Sequence, residues 1–181
     1  MKFIILHYPI LDSTNNLAKE FASLGVRGGT VIFSDYQRKG RGRFKRKWIS
    51  PKGKDLLFSV ILRPTHVKAN AVSIVTQTTA MSIRDVLKQK FDISAKIKRP
   101  NDLLVNGKKI CGILVESSTH KNMIEYIVVG IGLNVNSRQR ELLRSATSLR
   151  EMLGEQKDRK QLLQDLLGGF LKQMTELGWF S

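Results

Sequence analysis

Apolar residues in this chain keep one of two rhythms, and the stretches that keep neither are few. Phe3 to Leu6 is a short apolar run that reads as a first strand. Asp12-Ser13-Thr14 offers capping side chains ahead of Leu17, Phe21 and Leu24, which recur at helical spacing until Gly25 can end the helix. Thr30 to Tyr36 is β-branched and aromatic, hence a second strand, and Leu56 to Leu62 is a third, stopped by Pro64. From about Ala69 to Lys90 the period returns to that of a helix, with Val72, Val75, Thr79, Ile83 and Val86 on one face.

Strands and tight turns follow. Ile97 to Pro100 enters Asn101-Asp102 and Leu103-Leu104-Val105, and Asn106-Gly107 marks a two-residue hairpin turn. The chain returns through Lys109 to Glu116, then Tyr126 to Ile131, running on into Gly132-Leu133-Asn134-Val135-Asn136. Gly130 and Gly132 thin the sheet where a ligand could lie against backbone. Thr147-Ser148 caps a short helix, and Asp158 caps a longer one carrying Leu162, Leu163, Leu166, Phe170 and Met174. The pattern predicts an α+β fold: a mixed, largely antiparallel sheet flanked by helices.

The stretch that keeps no rhythm is Gly40 to Pro51, which packs five cations and two glycines into twelve residues and reads as a loop. Its glycines let backbone N–H groups approach a ligand, and its arginines offer planar forks of donors to carboxylate or phosphate. Trp48 could stack on a flat ring or a cation. The loop suits an anionic ligand with an aromatic part, such as a nucleotide; a solvated basic loop and a nucleic-acid contact are the alternatives.

Composition changes the picture in one respect. At 181 residues the chain suits one domain, but 31 Lys and Arg against 15 Asp and Glu leave a net charge of +16, which favours an acidic partner. Cys111 is the only cysteine, so no intrachain disulfide exists and a reducing, cytoplasmic setting is expected. No apolar run reaches membrane length. His7, His66 and His120 lie far apart, so the sequence alone offers no metal site, and Gly-x-Ser-x-Gly, the P-loop and Gly-x-Gly-x-x-Gly are all absent. The remaining polar points fall at strand ends and turns: Ser13-Thr14-Asn15, Gln37, Lys98 with Asn101-Asp102, Lys109 with Gly112, and Asn134. Each also has a plain reading, as a cap, a turn or a solvated lysine.

Gly40-Arg-Gly-Arg with Arg46-Lys-Trp-Ile-Ser-Pro, Lys98-Arg-Pro-Asn-Asp, Lys109-Ile-Cys-Gly-Ile-Leu-Val-Glu and Gly130-Ile-Gly-Leu-Asn-Val-Asn resemble, in order, the signatures of biotin protein ligases. Ser13-Thr14-Asn15 and Ala146-Thr-Ser-Leu fit the same series, so the resemblance spans about Phe3 to Leu149. It implies the fold shared with class II aminoacyl-tRNA synthetases. It also implies a two-step reaction in which biotin and ATP give biotinyl-5′-AMP, and a lysine of a biotin carboxyl carrier domain then takes the biotinyl group, with Mg²⁺ bridging the ATP phosphates. By the same resemblance Lys109 contacts the reacting carboxylate and phosphate, and Arg43 holds the adenylate. Asp102 orients the incoming amine or removes its proton. Ser13, Thr14, Asn15, Gln37, Gly40, Arg41 and Gly112 bind biotin. Arg46, Trp48, Asn101 and Asn134 bind the nucleotide, Asn134 reading the adenine.

Two positions depart from the family pattern. Arg99 stands where tryptophan is usual, and Lys45 stands where glycine is common; a left-handed backbone there would cost a lysine roughly 1–2 kcal/mol. The expected organisation is a single catalytic domain over residues 1–181, with neither an N-terminal winged helix nor a C-terminal β-barrel. A homodimer is compatible with the family. A lipoate ligase of the same fold and a non-catalytic nucleic-acid-binding module are the alternative readings.

Overall fold

The computed structural model describes residues 2–179. Seven strands form one sheet in the order β1-β2-β3-β7-β6-β5-β4. The strands are β1 (Ile4–Tyr8), β2 (Thr30–Ser34), β3 (Leu56–Leu62), β4 (Lys96–Lys98), β5 (Asp102–Val105), β6 (Lys108–His120) and β7 (Met123–Leu133). Only the β1–β2 pair is parallel, because the helix α1 (Thr14–Ser23) crosses between them; every other neighbour is antiparallel.

The local signals act as expected at most ends. The Ser13 side chain caps α1, although its 3.5 Å reach to the Asn16 N–H is long, and Gly25 follows the helix at φ +85°. Asn106 and Gly107 both take positive φ, at 51° and 77°, which is the geometry of a type I′ hairpin. Ser148 caps α3 (Leu149–Leu153), and Asp158 caps α4 (Arg159–Glu176). The long helix α2 (Val72–Phe91) begins after a single 3₁₀ turn at Ala69–Ala71.

The two faces of the sheet are covered unequally. On one side α2 and α4 lie over a large core that includes Val31, Phe33, Phe58, Val60, Ile83, Leu87, Ile113, Leu163 and Phe170. Burying side chains of this size contributes about 1.5–3 kcal/mol each. Gly169 lets the two helices approach, since a Cβ there would stand 2.7 Å from Val86 Cγ2. On the other side α1 alone presents Ala18 and Ala22 to Ile32, Ile61 and Val128. The sheet continues past the start of α1, and two residues further along the same face come Ser59, Gly130 and then Gly132. That uncovered half is the floor of the site. Among the described residues, no helix is long and apolar enough to cross a membrane.

Two features of β6 were not anticipated. It continues past Glu116 to His120 and turns through Lys121 and Asn122, both at positive φ, into β7. It also carries a bulge: Leu103 pairs with Cys111, but Leu104 pairs with Lys109. Ile110 is thus the extra residue, and Ile110 and Cys111 both enter the same core, which strict alternation forbids. Burial there pushes the Cys111 thiol up to about 12.

Candidate active site

The basic loop folds onto itself. The Gly42 N–H donates to the Arg46 carbonyl at 2.7 Å and the Trp48 N–H to Gly40 at 3.0 Å, so residues 40–48 form a short hairpin closed by the 3₁₀ turn Arg43–Lys45. The turn places Phe44 at φ +54° and leaves its ring 80% exposed, with the Arg43 guanidinium 5.0 Å from its centroid. The side chain of Lys45 lies outside the described residues.

The hairpin's returning arm lays Trp48 across the glycines of the sheet. A Cβ on Gly112 would stand 2.8 Å from Trp48 Cζ3, and one on Gly132 would stand 2.5 Å from Cε2, so only glycine leaves room for the indole here. Gly112 and Gly132 are cross-strand partners. Trp48 Nε1 is buried and makes no hydrogen bond among the described residues. The Lys109 ammonium lies 5.3 Å from the ring centroid, a cation–π distance. It is the Ile110 bulge that turns Lys109 to this side; unbroken alternation would send it toward the core with Cys111 and Ile113. Lys109 Nζ is 2.7 Å from Asp102 Oδ1. That oxygen takes no well-angled hydrogen bond, so the contact is Coulombic rather than directional.

The far wall is the start of α1. Gln37 Oε1 accepts from the Thr14 N–H at 2.7 Å and from Thr14 Oγ1 at 3.1 Å. Ser59 Oγ lies 2.8 Å from Thr14 Oγ1 and 2.6 Å from Asn15 Oδ1. Asn15 fits against Gly130, where a Cβ would come within 1.9 Å of its Oδ1. Its Nδ2 donates to the Leu114 carbonyl at 3.1 Å and to Glu116 Oε2 at 2.9 Å. Glu116 also holds Lys19 at 3.1 Å and Arg41 at 2.9 Å. Burial alone would raise the Glu116 carboxyl, but hydrogen bonds from Asn15 and Lys19 and the charge of Arg41 outweigh it and hold the group below its usual range.

Together these elements enclose a cleft of about 500 Å³. Of the residues expected at a site, Ser13, Thr14, Asn15, Gln37, Arg41 and Gly112 line it on the side of α1 and the glycine floor, and Arg43, Arg46, Trp48, Asn101, Asp102 and Lys109 line the remainder. Asn101 also clamps the start of the strand pair, its Nδ2 donating to the Ile113 carbonyl at 2.8 Å. Gly40 lies outside this cleft, on an adjoining hollow behind the loop. Asn134 is buried and absent from the cleft wall; its Nδ2 donates to the carbonyl of Thr147 at 2.9 Å and approaches that of Lys109 at 3.5 Å. Arg99 lines the cleft and adds an exposed cation to it.

Three working residues were not singled out from the sequence. Ser59 is the lone polar residue in the run Leu56–Leu62, and that oddity was a usable signal. Glu116 looked like a strand end. Asp55 is fully buried under the exit of the basic loop, accepting from Ser50 Oγ at 2.6 Å, Ser137 Oγ at 2.7 Å and the Val135 N–H at 2.8 Å.

The fold and the cleft define a domain of the class II synthetase type, with a cation-rich lid over a flat glycine floor. The chain belongs to the biotin/lipoate A/B protein ligase family, which matches residues 8–134. It is 35% identical over 176 residues to the bifunctional ligase/repressor BirA of Bacillus subtilis, covering 95% of this chain and 54% of that protein. It is 36% identical over 126 residues to the biotin–[acetyl-CoA-carboxylase] ligase of Paracoccus denitrificans, covering 68% of this chain and 51% of that protein. The chain thus spans about half the length of the relatives it matches. Among solved structures, the biotin protein ligase from Aquifex aeolicus in complex with biotin and ATP superposes with a TM-score of 0.80 at 32% identity, covering 95% of this chain and 70% of that one.

Proposed function

We propose that this chain is an ATP-dependent biotin ligase that forms biotinyl-5′-AMP and transfers the biotinyl group to a lysine of a biotin carrier domain. The observation that carries the reading is that the β6 bulge delivers Lys109 into the cleft shared by the basic loop and the glycine floor. It is supported by relatives named for biotin ligation and by a solved relative that holds biotin and ATP.

The first step needs little proton transfer, because a carboxylic acid is already ionised at neutral pH. A carboxylate oxygen of biotin attacks the α-phosphorus of ATP, and the bond to pyrophosphate breaks. Two anions must be brought together and the growing charge on the phosphoryl oxygens stabilised. Lys109 supplies a fixed cation at that point, with Asp102 holding its ammonium in place. Arg41, Arg43 and Arg46 line the cleft from the lid. Thr14, Asn15 and Gln37, already fixed to one another and to Ser59, form the wall for the ring end of biotin. Mg²⁺ enters with ATP as the counter-ion of its phosphates. In the second step the acceptor amine attacks the acyl carbon, AMP leaves, and the amine gives up a proton that Asp102 is placed to receive. Asn134 supports this site from behind, fixing the backbone of Lys109.

The test is pyrophosphate release with MgATP and either biotin or lipoate. Release that depends on biotin is expected, and Lys109→Ala should slow it about 100-fold or more while changing biotin binding little. Release with lipoate and not with biotin would assign the other acid of this family; no release with either, while ATP still binds, would overturn the reading.

A further inference from the structure

One carboxylate ties the basic loop to the sheet. Glu116 stands on the cleft face of β6, in phase with Gly112 and Leu114. Its Oε2 lies 2.9 Å from Arg41 Nη2 and 2.9 Å from Asn15 Nδ2, and its Oε1 lies 3.1 Å from Lys19 Nζ. Among the described residues, Arg41–Glu116 is the one ion pair that the loop residues 40–51 make. Arg43, Arg46 and Lys47 have no carboxylate beside them among the described residues. The rest of the lid is held by its own hairpin hydrogen bonds and by the seating of Trp48 on the glycine floor. A self-bonded hairpin keeps its shape whether it lies down or stands away, so its angle over the cleft is set by contacts to other elements.

Glu116 reaches the opposite wall by the same oxygen. Asn15 has its whole amide committed, Nδ2 to Glu116 and Leu114 and Oδ1 to Ser59, and it belongs to the first turn of α1. The lid and the α1 wall therefore share one anchor, placed between them and half-buried.

We propose that Glu116 is a positioning residue, a latch that holds the basic loop down through Arg41 and couples it to the α1 wall through Asn15, so fixing how tightly the cleft retains its anionic ligand. The ligand rests on the function proposed above; the latch itself does not. Glu116 touches no reacting atom, so its loss should act on retention and leave the chemical step largely alone.

The test begins with Glu116→Gln, which keeps the shape and removes the charge. Losing a partly exposed charge pair of this kind predicts about three- to fivefold faster tryptic nicking within residues 41–47 and about a three- to fivefold rise in biotin KM, with kcat for pyrophosphate release within about twofold. Arg41→Gln should raise nicking at the remaining cations by a similar factor, and the double variant should add nothing to either single one. Lys19→Gln leaves the Arg41 contact in place and should change nicking by less than about twofold. Nicking at the wild-type rate in Glu116→Gln and Arg41→Gln, or additive effects in the double variant, would overturn the latch. If Glu116→Gln fails to fold, Arg41→Gln decides alone, since its side chain is exposed and its loss leaves the core intact. A failure of the ligase reading would show separately, as a wild-type protein without biotin-dependent pyrophosphate release whose nicking comparison still runs.

Discussion

The basic loop is fastened at its foot and at its entry arm by carboxylates of opposite character. Under the foot, Asp55 is fully buried and its donors are neutral: two serine hydroxyls and backbone N–H groups. At the entry arm, Glu116 is half-buried and two of its three partners are cations. A closed shell of neutral donors gives an arriving anion nothing to exchange with. A pair made with an arginine at the rim is open to water and to competition. The difference separates a brace, which keeps the exit of the loop aligned with the end of β7, from a fastening that can be released and remade.

The contrast is broken most severely at the foot. Asp55→Ala strands the hydroxyls of Ser50 and Ser137 and the Val135 N–H in a dry interior. The expected loss is about 3–5 kcal/mol of folding stability, read by denaturant unfolding. Asp55→Asn keeps an acceptor and should lose less. A loss under about 1 kcal/mol for the alanine variant would mean that the foot is no brace.

The floor under Trp48 tests the middle of the range. Gly132→Ala puts a methyl group 2.5 Å from Trp48 Cε2, so the indole must lift. Overpacking of this kind costs about 1–3 kcal/mol, most of it avoidable if the lid opens. The outcome expected is a red shift of Trp48 emission with only a small fall in melting temperature. Unchanged emission would place the ring elsewhere.

Acid gives the smallest effect and sharpens the entry-arm fastening. The Glu116 carboxyl titrates below its ordinary value of about 4.3, so its contribution is complete above that value and fades as pH falls through the lower folded one. Arg41 and Lys19 stay charged throughout. Trp48 emission should therefore hold steady from about pH 7 to pH 5 and change only below about pH 4, by the equivalent of less than about 1 kcal/mol given the pair's exposure. Glu116→Gln should lack that acid step. A step near neutral pH in the wild type would point to some other group.

What the sequence made legible follows from range. Ser13, Ser148 and Asp158 cap helices through bonds to residues two or three positions away, and Asn106-Gly107 needs only itself to turn. Leu56–Leu62 is apolar because both its faces are covered along most of its length. The motifs placed most of the expected residues around one cleft. The rest depended on partners far along the chain: Glu116 meets Arg41, Lys19 and Asn15 across 75, 97 and 101 positions. No local pattern announces such meetings. The Ile110 bulge is invisible for a different reason. A run of alternating or apolar residues does not say where the alternation slips, and the slip decides which way Lys109 faces. Lys121 and Asn122 turn the chain without glycine, so the length of β6 was underestimated. Asn134, named by a motif, lies behind the cleft wall with its amide bonded to the Thr147 carbonyl, a placement that no local pattern shows.

Cys111 is buried beside that same slip in β6, and its burial has a practical side. The chain has one sulfhydryl, sealed in the core with its acidity suppressed to about 12, so thiol-directed dyes and spin labels should pass it by. The wild-type sequence thus serves as its own unreactive background. A Phe44→Cys change, at a ring 80% exposed on the tip of the lid, would carry a single reporter without further engineering. Lid opening and closing could then be timed molecule by molecule.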